Sequence, residues 1–289
     1  MKNSFKSLSV FIAIVAACAL GAGTSLAILV AQDQADNAPY NDGWQTGDNG
    51  GSGFGAWTIQ TQSGGQDGFN GNFIGTSANN AFGTTTPNID TSGEAFGTYA
   101  NTGNSAVGFR DFTGGQLAFK STFAWSMDNG FIDDAGGAVG LTLRNGSADS
   151  SASDYNAGVR FEFQFLQGNA NYSYIDSTGS HDTGIAFTGT GLRLALTLTG
   201  INTYSLSISN LASGVVSTFS GTLGGTANSS LDSFAVYNRF AGSGGSRDAF
   251  FNLFEVTAVP EPSTVMLWAT GMGTLYYGRR RHLKAKAHA

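Results

Sequence analysis

Acidic residues are the first place to look for chemistry, because glycosidases use two carboxylates that flank a sugar bond, roughly 5–9.5 Å apart. Between the two terminal segments the chain has the glutamates Glu94, Glu162 and Glu255, and none belongs to a Glu-x-Asp-x-x-Glu series. Glu162 lies on the polar side of the alternating stretch 158–166, which favours either a sugar-binding face or a solvated face with a cross-strand arginine. We therefore predict a protein that is not an enzyme, with Glu162 as a candidate ligand-binding residue and glycoside hydrolysis as the less favoured alternative.

A second group of oxygen-bearing side chains lies between residues 128 and 134. It comprises Asp128, Asn129, Asp133 and Asp134. Hard oxygen ligands at this density suit calcium, although the spacing of an EF-hand and its bidentate glutamate are missing. Aspartate and asparagine are also the commonest turn residues. We therefore predict no required cofactor and keep calcium at this loop as an alternative.

Aromatic side chains in loops are candidates for stacking on sugars, since they combine an apolar face with a polar edge. Trp44 and Tyr155 fall in such loops, whereas Trp57 and Trp125 fall in alternating stretches that indicate a core. Cys18 is the one cysteine and lies near the N-terminus, which excludes thiolate metal sites and cysteine nucleophiles from the rest of the chain.

The candidate residues lie on or between short predicted strands that are joined by tight turns. Glycine is abundant (42 residues), proline scarce (4) and phenylalanine common (22), and no stretch between the termini keeps a helical period. We predict strands at 54–61, 68–74, 95–99, 106–112, 116–127, 138–144, 158–166, 172–175, 183–187, 192–198, 204–208, 215–223, 233–238 and 250–257. The pattern predicts an all-β, antiparallel β-sandwich, a jelly roll that resembles the concanavalin A-like type at the level of fold. A β-helix ranks second, because no fixed repeat is visible.

The N-terminal segment has the layout of a secretory signal peptide. Lys2 and Lys6 precede an apolar run from residue 8 to residue 20, and small residues follow. We expect a signal helix over residues 1–27 with cleavage after Ala27, and Ala31 is a second candidate. Cys18 also fits a lipid-attachment motif, but the residues after it stay apolar, which favours an ordinary signal peptide.

The C-terminal segment combines three ordered features. Val259, Pro260, Glu261 and Pro262 come first, and the two prolines disfavour both helix and central strand. An apolar stretch from Val265 to Tyr277 follows and is short for a transmembrane helix, which needs roughly 20 residues. Arg279, Arg280 and Arg281 come next and would hold the end of that helix on the cytoplasmic side. A plain C-terminal membrane anchor would share the last two features.

This order resembles the PEP-CTERM sorting signal of Gram-negative bacteria, also called the ice-binding protein C-terminal domain. The resemblance covers residues 259–283 and departs from the family in its short helix and in the residues that follow the arginines. It implies that residues 259–262 are recognised by an exosortase, a membrane-bound transpeptidase-like enzyme, as a transient partner. It also implies cleavage near the motif and delivery to the outer surface or to the extracellular exopolysaccharide matrix.

The charge pattern completes the sequence-based hypothesis. The net charge is −6, and half of the 14 basic residues lie in the two terminal segments, so no basic patch suits nucleic acid. We predict a domain over residues 38–258 between the two signals. Its predicted function is a structural or adhesive protein of the cell envelope, anchored in the membrane before processing. The alternative is a carbohydrate-binding module, assisted by calcium, with polysaccharide as partner.

Overall fold

The computed structural model describes residues 27–64, 69–79, 87–114, 117–147 and 151–259. The chain divides into two compact units, of which Leu29–Ala258 is the larger. The other unit joins Met1–Ile28 to Val259–Ala289. Most of it lies outside the described residues, and so do the predicted signal helix, Pro260–Pro262, the apolar segment and Arg279–Arg281. Within the described ranges, no helix is both long and apolar enough for a membrane span.

Leu29–Ala258 forms an all-β sandwich of two antiparallel sheets. The strands are β1 (Ile28–Asp33), β2 (Thr58–Gln62), β3 (Asn70–Gly75), β4 (Ala95–Ala100), β5 (Ser105–Asp111), β6 (Thr122–Asn129), β7 (Ala138–Arg144), β8 (Val159–Leu166), β9 (Asn171–Asp176), β10 (Gly179–Ala186), β11 (Leu192–Leu198), β12 (Thr203–Asn210), β13 (Val216–Thr222), β14 (Ser233–Arg239) and β15 (Ala249–Ala258). Sheet A has the order β13-β12-β11-β6-β15-β4-β3, with β1 also paired to β15. Sheet B has the order β10-β9-β8-β7-β14-β5-β2.

The core lies between the sheets and is dominated by aromatic rings. On β8, Phe161, Phe163 and Phe165 point into it, as their two-residue spacing predicts. Phe123 of sheet A and Phe234 of sheet B meet at 5.0 Å between ring centroids. These rings close the space between the sheets without any disulfide, since the one cysteine, Cys18, lies outside the described residues.

Most predicted strands are confirmed, and three predicted starts are wrong. The strand predicted at 183–187 begins at Gly179, because the turn before it has only two residues, 177 and 178. β7 and β11 match the predicted ranges residue for residue. The predicted strand 116–127 begins only at Thr122, because the preceding residues belong to a loop whose backbone turns at Lys120, where φ is 66°. The predicted first strand, 54–61, is Thr58–Gln62. The antiparallel pairing of neighbouring strands from β2 to β15 excludes the β-helix.

β1 extends the sandwich upstream of the predicted boundary at residue 38. It pairs with β15, the last strand, as expected for a sandwich whose ends meet. β4 occupies Ala249–Phe251 on that side of β15, and the amide of Ala35 donates to the Asn252 side chain. β1 therefore lies beside the second half of β15 and starts near its C-terminal end.

The segment after β1 is fixed by a buried charge. Arg110 on β5 is fully buried and forms an ion pair with Asp33, which is 2% exposed. The guanidinium also donates to the carbonyl of Gly55 at 2.8 Å and to Asn49 at 2.6 Å. The Tyr40 hydroxyl donates to the same Asp33 carboxylate. A buried charge requires such a full set of partners, so residues 33–57 are held against sheet B.

We predict that Asp33→Asn destabilises the protein strongly. The substitution leaves the Arg110 guanidinium buried without a counter-charge, which costs about 3–5 kcal/mol. The matched control is Asp133→Asn, which breaks an exposed pair with Arg247 and costs at most about 1 kcal/mol. Urea unfolding followed by tryptophan fluorescence measures both, and equal losses would contradict the role given to Asp33.

Candidate ligand-binding site

The structure brings two of the predicted ligand-binding residues together, but it buries both. Glu162 and Tyr155 are 6% and 8% exposed. Tyr155 packs on Tyr237 of β14 with ring centroids 4.3 Å apart, and the Tyr237 hydroxyl donates to Glu162 at 2.5 Å. The expectation of a surface tyrosine and a solvated glutamate is therefore wrong. The loop between β7 and β8 folds back over the outer face of sheet B, with the Tyr155 carbonyl held by Thr142 at 2.8 Å.

Burial governs the electrostatics of this cluster. It raises the pKa of Glu162, and the Tyr237 hydroxyl and the nearby Arg239 partly offset the rise. It also raises the pKa of Tyr237. A Cβ at Gly140, on the strand between them, would lie 2.9 Å from the Tyr237 hydroxyl, so a glycine there leaves room for the hydroxyl to reach Glu162. In the described chain the carboxylate of this cluster, Glu162, has the phenols of Tyr155 and Tyr237 and the guanidinium of Arg239 as neighbours.

Trp44, the third predicted ligand-binding residue, is also buried, at 3% exposure. Its ring packs edge-on against Trp57 at 4.9 Å and against Phe96 at 5.0 Å. Trp44 lies in a loop, as predicted. The loop folds inward, because Asp33 before Trp44 and Asn49 and Gly55 after it all bind the Arg110 guanidinium. Trp44 therefore belongs to the core, and no sugar can stack on it in this conformation.

The predicted calcium loop has its side chains engaged elsewhere. Asp133 pairs with Arg247, and Asp134 accepts a hydrogen bond from Thr102 at 2.5 Å. Asn129 accepts from the Tyr172 hydroxyl at 3.0 Å, inside the sandwich. In the described ranges, no three His, Cys, Asp or Glu side chains are grouped as a metal site would require. Calcium binding at this loop stays a prediction.

The arrangement best suited to an external ligand lies on the outer face of sheet A. A pocket of about 280 Å³ is lined by Phe69, Tyr99, Asn101, Gly244, Gly245 and Asp248. Phe69 is 61% exposed, so its ring is open to solvent. Two aromatic residues, an asparagine and an aspartate therefore line one cavity, and an apolar lining with a few polar residues is usual for a ligand site.

Strand register explains how these residues meet. Gly71 of β3 pairs with Tyr99 of β4. The backbone N–H of Asn101 donates to the backbone carbonyl of Phe69 at 2.9 Å. Ala249 of β15 pairs with Thr98, so one further step places Asp248 opposite Tyr99. A Cβ at Gly71 would lie 2.9 Å from the Tyr99 ring, and its absence lets that ring lie across β3. The floor of the pocket is therefore formed by two rows across the sheet. One contains Gly71, Tyr99 and Asp248, and the other contains Phe69 and Asn101.

Asp248 gives the pocket its chemical character. Burial raises the pKa of this carboxyl to about 7, and no other group contributes to the shift. Its backbone is fixed, since its carbonyl accepts from the Gly130 amide at 2.8 Å. Near neutral pH the carboxyl is therefore poised between a protonated form and an acceptor-only carboxylate, and a ligand that donates hydrogen bonds would favour the charged form.

Sequence reasoning missed this pocket, although part of its signal was visible. Residues 68–74 and 95–99 were predicted as strands, and alternation puts Phe69 and Gly71 on one side, as it does Tyr99 and Asn101. The missing information was the pairing of β3 with β4 and of β4 with β15, which no local pattern specifies. Asp248 ends the Gly/Ser-rich stretch 238–248, whose composition indicates only a loop.

Comparisons with known proteins leave the chain without a family. No family model and no curated protein matches it. The globular domain of T. cruzi calreticulin aligns at a TM-score of 0.47 and 10% identity, covering 89% of this chain and 98% of that one. A carbohydrate esterase of the Shiga toxin-encoding bacteriophage phi24B aligns at 0.47 and 13%, covering 81% and 100%. Lectin II from Ulex europaeus aligns at 0.40 and 8%, covering 81% and 98%. At these values the likeness identifies neither a family nor a ligand.

We predict that Asp248→Asn stabilises the protein at pH 7 and above. The folded-state pKa of about 7 lies above the unfolded value, so between pH 4 and 7 the unfolded chain ionises first and rising pH favours unfolding. The variant should match the wild type near pH 4 and gain over it as pH rises, by up to about 4 kcal/mol at pH 7.5, because each unit of pKa difference corresponds to about 1.4 kcal/mol.

Asp182→Asn is the control of opposite sign. Hydrogen bonds from the Gly184 amide and from Asn171 lower the pKa of Asp182, so its stabilising effect is present at neutral pH and is lost as pH falls. Urea unfolding across pH 4–8 checks both variants. A difference between Asp248→Asn and wild type that does not change with pH would refute the assignment.

Proposed function

We propose that this protein is a non-catalytic carbohydrate-binding β-sandwich that is exported to the cell surface, and that Phe69, Tyr99, Asn101 and Asp248 bind the sugar. The sandwich is proposed to be a jelly roll of the concanavalin A-like type. The single observation that supports the binding role is the pocket on the outer face of sheet A, where an open phenylalanine ring adjoins a half-buried carboxyl and an amide.

Sugar chemistry suits these groups. A pyranose presents an apolar face of C–H groups that packs on an aromatic ring such as Phe69. Its hydroxyl pairs donate to a carboxylate and accept from an amide, so Asp248 and Asn101 offer complementary partners. The volume of about 280 Å³ fits one or two sugar rings and not a long buried chain. Binding would therefore involve a chain end or a branch of a polysaccharide.

A binding role is favoured over cleavage by the arrangement of acids. Hydrolysis by the usual route needs two carboxylates on either side of one bond. In the described residues, Asp248 is the one acidic side chain that lines the pocket, and Glu162 has Tyr237 and Arg239 as its charged and hydrogen-bonding neighbours. We therefore propose binding without cleavage, with calcium as an untested addition.

Export remains part of the proposal. The resemblance of residues 259–283 to a PEP-CTERM sorting signal, recognised by an exosortase, supports delivery to the envelope or matrix. The fold adds one argument, because β1 and β15 lead from one end of the sandwich to both predicted targeting segments. Cleavage after Ala27 would leave β1 whole, whereas cleavage after Ala31 would remove most of a strand whose Ala31 and Asp33 are buried.

We predict that Phe69→Ala and Asp248→Asn weaken binding to polysaccharide purified from the host's matrix. Loss of a hydrogen bond to a charged group costs about 1.5–3 kcal/mol, which corresponds to roughly ten- to hundredfold in affinity. Affinity of the wild type should also rise as pH increases through 7, whereas that of Asp248→Asn should not.

Phe119→Ala is the matched control, because Phe119 is 50% exposed and lies at the opposite end of the sandwich. Calorimetric titration of all four proteins, after a glycan array has selected the ligand, makes the comparison. Binding that survives both pocket substitutions would rule out this pocket, and release of shorter sugars by the wild type would rule out the non-catalytic role.

We also predict the two ends of the mature chain. Intact mass of protein from the native host should give an N-terminus at Ile28 and, in the surface or medium fraction, a C-terminus near Pro260. A signal-peptidase product starting after Ala31 would contradict the requirement for β1. A surface form that retains Arg279–Arg281 would contradict processing of the sorting motif.

A further inference from the structure

Four neighbouring strands of sheet A end or begin at the place where the sandwich chain stops. Thr257 of β15 pairs with Thr122 of β6, and Thr122 also pairs with Thr197 of β11. The C-terminal end of β15, the start of β6 and the end of β11 therefore lie side by side. β1 adds its start on the other side of β15, as described above. We call this the exit end of the sandwich.

The exit end exposes large apolar side chains. Ile201, in the turn after β11, is 73% exposed, and Phe119, just before β6, is 50% exposed. Leu29 and Val30 at the start of β1 are 49% and 44% exposed. A further pocket of about 620 Å³, lined by Leu117, Leu198 and Leu223 among others, opens between the loops here. Phe119 and Ile201 both line this pocket, and exposed apolar surface grouped in this way marks a contact with a membrane or another molecule.

Charge at the exit end suits a lipid headgroup layer. Lys120 is the one lysine between residues 7 and 283, and its ammonium lies 5.1 Å from the Phe119 ring centroid. At a membrane surface an apolar ring such as that of Phe119 can insert while the neighbouring lysine keeps its ammonium at the level of the phosphates.

The position of the chain end favours a bilayer over a soluble partner. The sandwich ends at Ala258, and the predicted apolar segment starts at Val265. The six residues 259–264 span at most about 20 Å even when fully extended. If residues 265–277 enter the membrane, as the proposed function holds, the exit end is the part of the sandwich nearest the bilayer surface.

We infer that the exit end is a membrane-contacting surface, in which Phe119, Ile201, Leu29 and Val30 insert into the lipid interface while the protein is tethered. This inference rests on the anchoring part of the proposed function. It goes further, because it gives the sandwich its own lipid contact and a fixed orientation. The sugar pocket lies at the opposite end of sheet A, where β15 begins, and would therefore face away from the membrane.

The test uses the chain from Ile28 to Ala289, the form expected after signal cleavage, which contains no cysteine because Cys18 lies upstream of it. A fluorophore is attached to Ile201→Cys, to Phe119→Cys or, as control, to Val216→Cys, which is 58% exposed at the opposite end of sheet A. Each protein is reconstituted into phosphatidylglycerol-containing vesicles whose lipids carry a spin-label quencher near the headgroup. We expect several-fold stronger quenching at positions 201 and 119 than at position 216.

Flotation of the vesicles separates the two hypotheses. Chain that floats with the lipid but is quenched equally at positions 201 and 216 would overturn the membrane-contacting surface while leaving the anchor intact. Chain that does not float would overturn the anchor and, with it, this inference. Replacing Lys120 by Gln should reduce quenching at position 119 in anionic vesicles but not in neutral ones.

Discussion

The buried guanidinium of Arg110 is the constraint on which one side of the sandwich depends. Its ring neighbours, Trp57 at 4.8 Å and Phe54 at 5.1 Å, exclude water, so the charge needs its partners from the protein. Those partners come from residues 33–55, which precede sheet B in sequence and have little regular structure of their own. The buried charge therefore fixes a glycine-rich segment against sheet B, and Trp44 within that segment is buried in the core.

Regular alternation predicted the strands well because one face of each strand meets the aromatic core. In β8, the phenylalanines at alternate positions are buried in that core, as their spacing predicts. The same alternation wrongly predicted that Glu162 is exposed. It indicates which face of the sheet a residue occupies, but not whether a loop covers that face. The cover is the loop between β7 and β8, which has no period of its own and is placed by contacts such as that between Thr142 and the Tyr155 carbonyl.

The pocket shows a second limit of sequence reasoning. Phe69, Tyr99 and Asp248 are far apart in the chain and come together only through cross-strand register. A one-residue slip of β3 against β4 would turn Phe69 to the other face, so the site depends on pairing that is specified by burial of the whole sheet. Phe73 supplies part of that specification, since its ring packs on Phe250 at 5.8 Å, on the same outer face.

Antiparallel topology gives the sandwich two ends that differ in which strands start and stop there. Because β1 starts and β15 stops at the same end, the described chain enters and leaves the sandwich there. Under the proposed export, exposed apolar side chains at that end are the ones that would meet the membrane. The opposite end is left for the loops that follow β4, β6 and β14. Of its exposed aromatic rings, Phe131 packs on Phe187 at 5.8 Å, while Phe69 faces the pocket. If the sandwich is tethered as proposed, its pocket at Phe69, Tyr99 and Asp248 would point away from the membrane, because the chain enters and leaves at the other end.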